Sequence, residues 1–337
     1  MSAPLRVVTV GAGYFAAFHH EAWQRHPDTE LVGVADPDLA RAEATGAPPF
    51  ASLREACASG PDIIDIAAPP EAHAALIREA LAARPAAIIC QKPFATSLEE
   101  GEALAEEADF AGIPLIIHEN FRFQPWYRKL RAVLEAGELG TLHQFTFRLR
   151  TGDGQGPRAY LDRQPYFQTM PRLLIHETGV HWVDTFRYLF GPIEGVYADL
   201  RHMNPAVVGE DAGHVLFSFE SGVRALFDGN RHLDHATENP RLTFGEALLE
   251  GTQGTLTLTG DGALNIRAFG ARESTCIFPA SQWPGFAGDC VYALQAHVVE
   301  ALRGLRPFEN EARDYLAVRR IEEAIYTSYA EKRWVET

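Results

Sequence analysis

The stretch that decides the fold is Leu5-Arg6-Val7-Val8-Thr9-Val10, which runs directly into Gly11-Ala12-Gly13-Tyr14-Phe15-Ala16. The first six residues are rich in β-branched side chains and predict a buried strand. The next six carry a G-x-G-x-x-A pattern and open a helical stretch that extends to about residue 26. A strand, a glycine-rich turn and a helix in this order are typical of a dinucleotide-binding βαβ unit.

The glycine-rich turn has small residues where the chemistry needs them. Gly11 permits the tight turn, Gly13 lets the backbone approach a pyrophosphate, and Ala16 allows the helix to pack closely on the strand. The N-terminus of the helix supplies N–H donors and the positive end of a dipole to the phosphates. The predicted cofactor contacts of this turn are Gly11, Gly13, Tyr14, Phe15 and Ala16.

An acidic residue closes the second predicted strand, which covers residues 30–35. Asp36 at this position fits the ribose 2′-hydroxyl group of NAD and would repel the 2′-phosphate of NADP. The predicted cofactor is therefore NAD rather than NADP. The competing interpretation is that Asp36 caps the next helix, although Asp38 is also available for that cap.

Strands and helices continue to alternate through the first third of the chain. Apolar runs predict strands, and amphipathic stretches predict helices; the strands cover 62–67, 86–90 and 114–118, and the helices 71–83 and 97–111. This alternation predicts an α/β domain with a doubly wound parallel sheet, the Rossmann arrangement. His73 lies in the first turn of one helix, where we expect it at the cofactor edge.

A lysine follows the strand at 86–90, in the run Cys90-Gln91-Lys92-Pro93. Ligands of open α/β sheets bind just outside the carboxyl ends of the strands. Lys92 therefore marks the predicted active site, with Gln91 beside it at the cofactor. A surface lysine before a turn is the competing interpretation, and this stretch alone does not decide between the two.

Composition excludes several classes of protein. The 337 residues suffice for two domains, and the net charge of −15 argues against nucleic-acid and anionic-membrane partners. No apolar run approaches the roughly 18 residues that span a membrane. The first strand begins near residue 6, leaving no room for a signal peptide, and the four scattered cysteines are typical of reduced thiols. A cytoplasmic location and no metal site are expected.

At this point the sequence resembles the Gfo/Idh/MocA family of glucose–fructose oxidoreductase and inositol dehydrogenase. The resemblance covers essentially the whole chain and is carried by Gly11-x-Gly13-x-x-Ala16, Asp36, Lys92-Pro93, Asn120-Phe121-Arg122-Phe123 and Gly179-Val180-His181. It implies a Rossmann domain over 1–122 and an α+β domain over 123–337 with a large, mostly antiparallel sheet. It also implies oxidation of a sugar or polyol hydroxyl with a nicotinamide cofactor, in a homodimer or homotetramer.

Two positions depart from the family pattern. The family usually has Glu-Lys-Pro where this chain has Gln91-Lys92-Pro93. A carboxylate beside a lysine favours the protonated amine, so its absence is expected to ease deprotonation of Lys92. The family often has Asp four residues before its catalytic histidine, whereas this chain has Glu177 before His181.

The stretch 173–186 predicts a helix with Glu177, His181 and Asp184 on one face, at i, i+4 and i+7. Three polar groups on one face of an apolar helix are costly in a core unless they line a polar site. A core histidine satisfied by a neighbour is the competing interpretation. A zinc-protease motif is excluded because His176 and His181 stand five residues apart rather than four.

Two irregular segments of the second half are rich in polar residues. The Gly-rich segment 152–167, which includes Tyr160, predicts a substrate-side loop, with an oligomer-interface arm as the alternative. The segment 230–235 is polar and follows a strand; it fits a polyol contact and a solvated turn equally well. Period-two and β-rich runs predict strands, at 143–150, 195–201, 214–219, 223–228, 241–249, 255–259 and 263–268.

Taken with the resemblance, these residues predict an NAD-dependent sugar or polyol dehydrogenase. His181 is the expected general base, Lys92 orients the hydroxyl group, and Glu177 or Asp184 fixes the imidazole. Asn120 and Arg122 are expected to hold other substrate hydroxyls or the cofactor, and Tyr160 and Asp184 are also expected to contact the substrate. The segments 118–123, 152–167 and 175–184 are similar to aldose dehydrogenases of this family that act on D-apiose. Alternatives are a cyclitol dehydrogenase, a reductase of a non-sugar carbonyl, and a non-catalytic dinucleotide-sensing regulator.

Overall fold

The computed structural model describes residues 3–337 of the chain. The strands are β1 (Leu5–Val10), β2 (Thr29–Ala35), β3 (Pro49–Phe50), β4 (Ile63–Ile66), β5 (Ala87–Gln91), β6 (Leu115–His118), β7 (Leu142–Leu149), β8 (Ile193–Arg201), β9 (Ala212–Phe219), β10 (Arg224–Asn230), β11 (Gly245–Gly251), β12 (Gly254–Leu258), β13 (Leu264–Ala268), β14 (Thr275–Phe278) and β15 (Val335–Glu336). The α-helices are α1 (Ala16–Arg25), α2 (Leu39–Glu43), α3 (Leu53–Cys57), α4 (Pro70–Ala83), α5 (Leu98–Ala111), α6 (Pro125–Glu135), α7 (Val180–Phe190), α8 (Phe286–Leu302) and α9 (Ala312–Glu331).

The chain forms two compact units. The first consists of the residues up to Asn120 together with Asp289–Ala317, and the second of Phe121–Gly288 together with Val318–Thr337. The predicted division at residue 122 therefore differs from the structure in the segment 289–317, which returns to the first unit. The reason is backbone pairing at β6, where the Ile117 N–H donates to the Asn310 carbonyl at 2.8 Å. Hydrophobic periodicity in the sequence does not predict that a later segment joins the first unit.

The first unit contains the predicted Rossmann sheet. Its six strands lie in the order β3-β2-β1-β4-β5-β6, and all of the pairings are parallel. Every residue of β4 is buried, as expected for a strand covered on both faces. The doubly wound parallel arrangement is thus confirmed.

The first turn of α5 is capped by side chains. Ser97 caps α5 by accepting a hydrogen bond from the Glu100 N–H at 3.2 Å. The reciprocal bond differs from that of a standard capping box by one residue, because the Glu100 carboxylate accepts from the Thr96 N–H at 2.8 Å. Both bonds satisfy N–H groups that the start of a helix leaves unpaired.

The second unit contains a broad, mostly antiparallel sheet, as predicted. Its nine strands lie in the order β14-β13-β12-β11-β7-β10-β9-β8-β15, with β7 and β10 parallel. In β7, Phe145, Phe147 and Leu149 are buried while Gln144 and Arg148 face solvent, so the period-two pattern holds. The short strands β3, β14 and β15 were not predicted, since two to four residues carry little periodicity.

Two predicted elements of the second unit are corrected by the structure. The strand expected over 241–249 begins only at Gly245. The helix expected over 173–186 is a π-helix over Leu174–Gly179 followed by α7. A π-helix bonds i to i+5, so the advance of about 100° per residue assumed for an α-helix does not apply to Glu177. None of the helices within residues 3–337 is long and apolar enough to cross a membrane.

Candidate active site

The glycine-rich turn at the end of β1 is shaped for a ligand. Gly11 has φ +102°, and a Cβ placed on it would lie 2.5 Å from the Ala67 carbonyl oxygen, so this position requires glycine. A Cβ on Gly13 would meet no atom within 4 Å, so the space above it is open. The turn is therefore packed on one side and open on the other, which fits a close approach by a pyrophosphate.

The helix after this turn begins without a side-chain oxygen at its cap. Phe15 occupies the N-cap position of α1, and Ala16 is buried at the first helical position. Tyr14 is 47% exposed and lies edge-on to Phe18. The first N–H groups of α1 therefore suit an anion, in keeping with the predicted cofactor contacts of this turn.

Asp36 follows β2 and lies beside the glycine-rich turn. One carboxylate oxygen accepts from the Ala12 N–H at 2.8 Å and the other from the Asp38 N–H at 2.8 Å. The N-cap position of α2 is occupied by Asp38, so the competing interpretation of Asp36 as a helix cap is not what the structure shows. A partly exposed carboxylate beside this turn matches a ribose hydroxyl group and disfavours a 2′-phosphate. These residues fit a bound NAD.

Lys92 follows β5 and is partly exposed, at the carboxyl end of the sheet where the sequence predicted it. Its backbone N–H donates to the Gln91 side-chain oxygen at 3.1 Å. The Gln91 side-chain nitrogen lies 2.9 Å from His19 Nε2 and 3.2 Å from His118 Nδ1. His19 Nδ1 in turn lies 2.8 Å from an Asp65 carboxylate oxygen. Gln91 therefore faces a polar network inside the protein as well as the lysine.

Asp65 anchors that network in the middle of β4. Its side chain is fully buried, and the Trp23 indole N–H donates to it at 2.7 Å. Burial raises the pKa of Asp65, but the adjoining His19 and Trp23 outweigh that effect and hold the pKa below its ordinary value. The buried carboxyl group is therefore the anionic end of the network. The sequence showed Asp65 only as one polar residue in an apolar strand, and it gave no reason to single out His19.

Two residues of the first unit that were predicted to contact a ligand, His73 and Asn120, make hydrogen bonds within the protein. His73 is fully buried, and its ring nitrogens lie 2.8 Å from the carbonyl oxygens of Ala68 and Pro93. Asn120 is 2% exposed and donates to Cys290 Sγ at 3.2 Å. His73 thus joins the loop after β4 to the loop after Lys92, and Asn120 fixes the end of the unit against α8. Both side chains are directed into the protein.

In the second unit, His181 is held by an aromatic stack. Its ring lies parallel to that of Phe121, with centroids 4.1 Å apart and 9° between the planes. The neighbouring Arg122 donates to both carboxylate oxygens of Asp184, at 2.8 and 2.5 Å, and the pair is buried. Asp184 lies one helical turn after His181, so the bidentate pair fixes the turn carrying Phe121 against α7. The charges of Arg122 and Asp184, predicted to meet substrate, are directed at each other.

The predicted substrate-side loop, 152–167, is built on a buried arginine. Arg231, 3% exposed, donates to Thr178 Oγ1 and to an Asp153 carboxylate oxygen, both at 2.8 Å. Burial raises the pKa of Asp153, but the guanidinium of Arg231 outweighs it, so the pKa lies below its ordinary value. Tyr160, at φ +70°, packs its ring 4.9 Å from that guanidinium. The sequence missed this role of Arg231, although it marked the polar segment 230–235.

Glu177, the predicted partner of His181, also affects the pKa of a tyrosine in this loop. Burial raises the pKa of Tyr166 to about 12, with a further contribution from the negative charge of Glu177. The neighbouring His176 lies 2.5 Å from the buried Glu322 carboxylate. Within residues 3–337, no cluster of three or more His, Cys, Asp or Glu is arranged to hold a metal ion.

Comparisons with known proteins agree along the whole chain. The Gfo/Idh/MocA family model, described as an oxidoreductase family with an NAD-binding Rossmann fold, matches residues 5–118, and that of the Gfo/Idh/MocA C-terminal domain matches residues 127–257. A D-apiose dehydrogenase from Paraburkholderia graminis is 33% identical over 97% of this chain and 88% of its own length. Another from Rhizobium rhizogenes is 29% identical over 98% of this chain and 97% of its own length.

A solved structure is similar over the same extent. An oxidoreductase from Agrobacterium radiobacter, crystallised with NAD+, L-tartaric acid and magnesium, superposes with a TM-score of 0.88 at 28% identity. The similarity covers 99% of this chain and 98% of that one. Both units of the fold are therefore shared with this protein.

Proposed function

This chain belongs to the Gfo/Idh/MocA family of NAD-binding oxidoreductases, and from that premise we propose that it oxidises D-apiose at its anomeric carbon to the lactone. It is an oxidoreductase of CH–OH groups that uses NAD. The observation that carries the choice of sugar is the similarity to two D-apiose dehydrogenases, which extends over at least 97% of this chain. The polar second-unit loop around Arg231 is consistent with a polyhydroxylated substrate.

The chain has candidate residues for removing the proton and for orienting the hydroxyl group. Oxidation of the anomeric hydroxyl removes a hydride from carbon and a proton from oxygen, and NAD, when bound, is the hydride acceptor. His181 is the proposed base for the proton, because an imidazole has an ordinary pKa near neutrality. Lys92 orients the hydroxyl group and stabilises negative charge developing on its oxygen. Glu177 is proposed to fix the orientation of the His181 imidazole.

The stack on Phe121 suggests how His181 is kept in place. A base must hold its nitrogen within hydrogen-bond reach of the proton that it removes. Phe121 limits rotation of the imidazole, and the buried Arg122–Asp184 pair limits movement of Phe121 relative to α7. We therefore propose positioning roles for Arg122 and Asp184, while Tyr160 supports the loop over 152–167.

A panel of substrates tests the choice of sugar. NADH formation is measured with D-apiose, other aldoses and cyclitols including myo-inositol, each with NAD and with NADP. The proposal expects the largest kcat/KM with D-apiose and NAD. A larger value with a cyclitol would replace the sugar assignment by a cyclitol dehydrogenase. The absence of turnover with every member of the panel would refute the proposed activity.

We further propose that the outer face of the nine-stranded sheet joins copies of this chain. Leu216, 47% exposed, is in register with Leu226, and the row continues through Thr146 to Leu248. The adjacent row carries residues of both charges: His214, Asp228, Arg148 and Glu246. An apolar row beside charges of both signs suits a two-fold contact in which the same surface meets itself. Light scattering of wild type and Leu216→Glu tests this, with a loss of mass expected for the variant.

The four cysteines support the proposed cytoplasmic location. Cys57, Cys90, Cys276 and Cys290 form no disulfide within residues 3–337, and two of them are buried. Buried cysteines that stay out of disulfides are typical of proteins that work in a reducing compartment. Fractionation of cells that express the native gene, with detection of the protein by antibody, tests the location.

A further inference from the structure

Gln91 links the backbone of Lys92 to two buried histidines. Its side-chain oxygen accepts from the Lys92 N–H at 3.1 Å, and its side-chain nitrogen lies 2.9 Å from His19 Nε2 and 3.2 Å from His118 Nδ1. The rings of His19 and His118 are fully buried and lie 4.0 Å apart, centroid to centroid. Gln91 therefore makes three contacts, with the residue that follows β5, with α1 and with β6.

The chemistry of these contacts fixes the position of the protons. A backbone N–H can only donate, so the Gln91 atom that faces Lys92 is the oxygen. The opposite atom is then the NH2 group, which has two hydrogens and can only donate. Both imidazole nitrogens that face it must therefore accept, with lone pairs and no hydrogen. His19 then has its hydrogen on Nδ1, where it donates to Asp65 at 2.8 Å.

We propose that Gln91 is a positioning residue that locks His19 and His118 in neutral tautomers and thereby ties the backbone of Lys92 to Asp65. This inference rests on the proposed role of Lys92 in sugar oxidation. One side-chain amide thus holds the catalytic lysine in place through a chain of hydrogen bonds that ends in the sheet. Two protonated rings 4.0 Å apart would repel each other, so the neutral state also suits the stack.

Among the groups that face His19, Asp65 is the charged hydrogen-bond acceptor, and the other neighbours named below are neutral. From β4 it faces Asp65, from β6 His118, and on its own helix the buried His20. Burial lowers the pKa of His20, so this neighbour is neutral near pH 7. From α8, the side-chain amide of Gln295 donates to the His19 backbone oxygen at 3.3 Å. The buried thiol of Cys90, whose pKa burial raises well above its ordinary value, adds no charge.

A carboxylate at position 91 would reverse the direction of two hydrogen bonds. Gln91→Glu keeps an acceptor for the Lys92 N–H but offers no donor to His19 or His118. Each ring must then place a hydrogen on the nitrogen that faces the new carboxylate, and His19 can do so while bonding Asp65 only by becoming an imidazolium. The variant therefore gains a positive charge on His19, whereas Gln91→Leu loses the contacts without gaining a charge.

Nitrogen NMR of the full-length enzyme with 15N-labelled histidine tests the proton positions without requiring turnover. At neutral pH we expect His19 to show a protonated Nδ1 and a bare Nε2. The His19 signals are assigned from the resonances lost in His19→Asn or, if that variant does not fold, from their proximity to the Gln91 side-chain protons in wild type. A protonated His19 Nε2 in wild type would overturn the proposal.

The pH dependence of kcat/KM for D-apiose separates positioning from simple packing. We expect Gln91→Glu to show an additional ionisation that wild type and Gln91→Leu lack. Gln91→Leu should lower kcat at least about tenfold at all pH values, with little change in KM for the sugar. Parallel profiles for all three proteins would overturn the proposal. If Lys92→Met turns over D-apiose normally, the proposed role of Lys92 fails, and if wild type turns over no sugar, the proposed function fails; in both cases the NMR result still decides the tautomers.

Discussion

Of the two glycines in the turn after β1, replacing Gly11 should lower stability, whereas replacing Gly13 should weaken cofactor binding. In Gly11→Ala the new Cβ would lie 2.5 Å from the Ala67 carbonyl oxygen, and ordinary contact begins at 3.4 Å, so about 0.9 Å of overlap must be relieved by moving backbone. The positive φ adds strain of about 1–3 kcal/mol, and the overlap adds about 1–3 kcal/mol more. A central value of about 4 kcal/mol corresponds to a fall in Tm of roughly 8–16 °C.

In Gly13→Ala the same methyl group enters open space, since no atom lies within 4 Å of the new Cβ and the backbone is outside the left-handed region. The Tm should therefore stay within about 2 °C of wild type. The methyl group occupies space that a pyrophosphate needs, so the Kd for NAD should rise at least about tenfold, or about 1.4 kcal/mol.

Thermal unfolding without NAD and calorimetric titration with NAD measure both quantities on the same preparations. Gly33→Ala offers a matched control, because Gly33 lies in β2 rather than in the glycine-rich turn and its Cβ would meet the Phe50 ring at 2.6 Å. That control should lose stability without a specific loss of NAD affinity. The reasoning is refuted if Gly13→Ala binds NAD as tightly as wild type, or if it loses as much stability as Gly11→Ala.

Three further predictions concern charged groups. Asp36→Ser should raise the Kd for NAD about tenfold and improve use of NADP, measured as the ratio of the two kcat/KM values; an unchanged ratio would contradict the role of Asp36. Asp184→Asn should destabilise the protein by about 3–5 kcal/mol in denaturant unfolding, because it removes the charge that balances the buried Arg122, whereas Arg122→Met with Asp184→Leu should recover most of the loss. The pKa of Asp153 is lower in the folded than in the unfolded protein, so its contribution to stability is complete above the ordinary value of 3.8 and is lost as pH falls through the folded pKa. The difference in Tm between wild type and Asp153→Asn should therefore narrow from about pH 6 to about pH 3, and a constant difference would refute this assignment.

The local parts of the fold could be predicted from sequence because their causes are local. The turn at 11–16 needs glycine at fixed offsets, and an acidic residue after the next strand completes the pattern. Alternating strands and helices imply a parallel sheet, which the order β3-β2-β1-β4-β5-β6 confirms. The alternation of apolar and polar residues in β7 likewise predicted which side chains face the core.

The contacts around Lys92 and those around His181 depend on distant residues and could not be predicted in the same way. Asp65 and His19 are 46 positions apart, and Arg122 and Asp184 are 62 apart. In the sequence these residues are isolated polar side chains in apolar surroundings, which indicates a buried partner without naming it. The π-helix over Leu174–Gly179 was also missed, because the apolar pattern does not distinguish i to i+5 bonding from an α-helix.

The measurement that tests the central claim most directly compares wild type with Lys92→Met for both turnover of D-apiose and binding of NAD. Methionine keeps much of the lysine's apolar bulk but removes its donors and charge. We predict a fall in kcat of at least about a thousandfold with a Kd for NAD within about threefold of wild type. Wild-type turnover of D-apiose by Lys92→Met would contradict the assignment of Lys92 as the catalytic lysine.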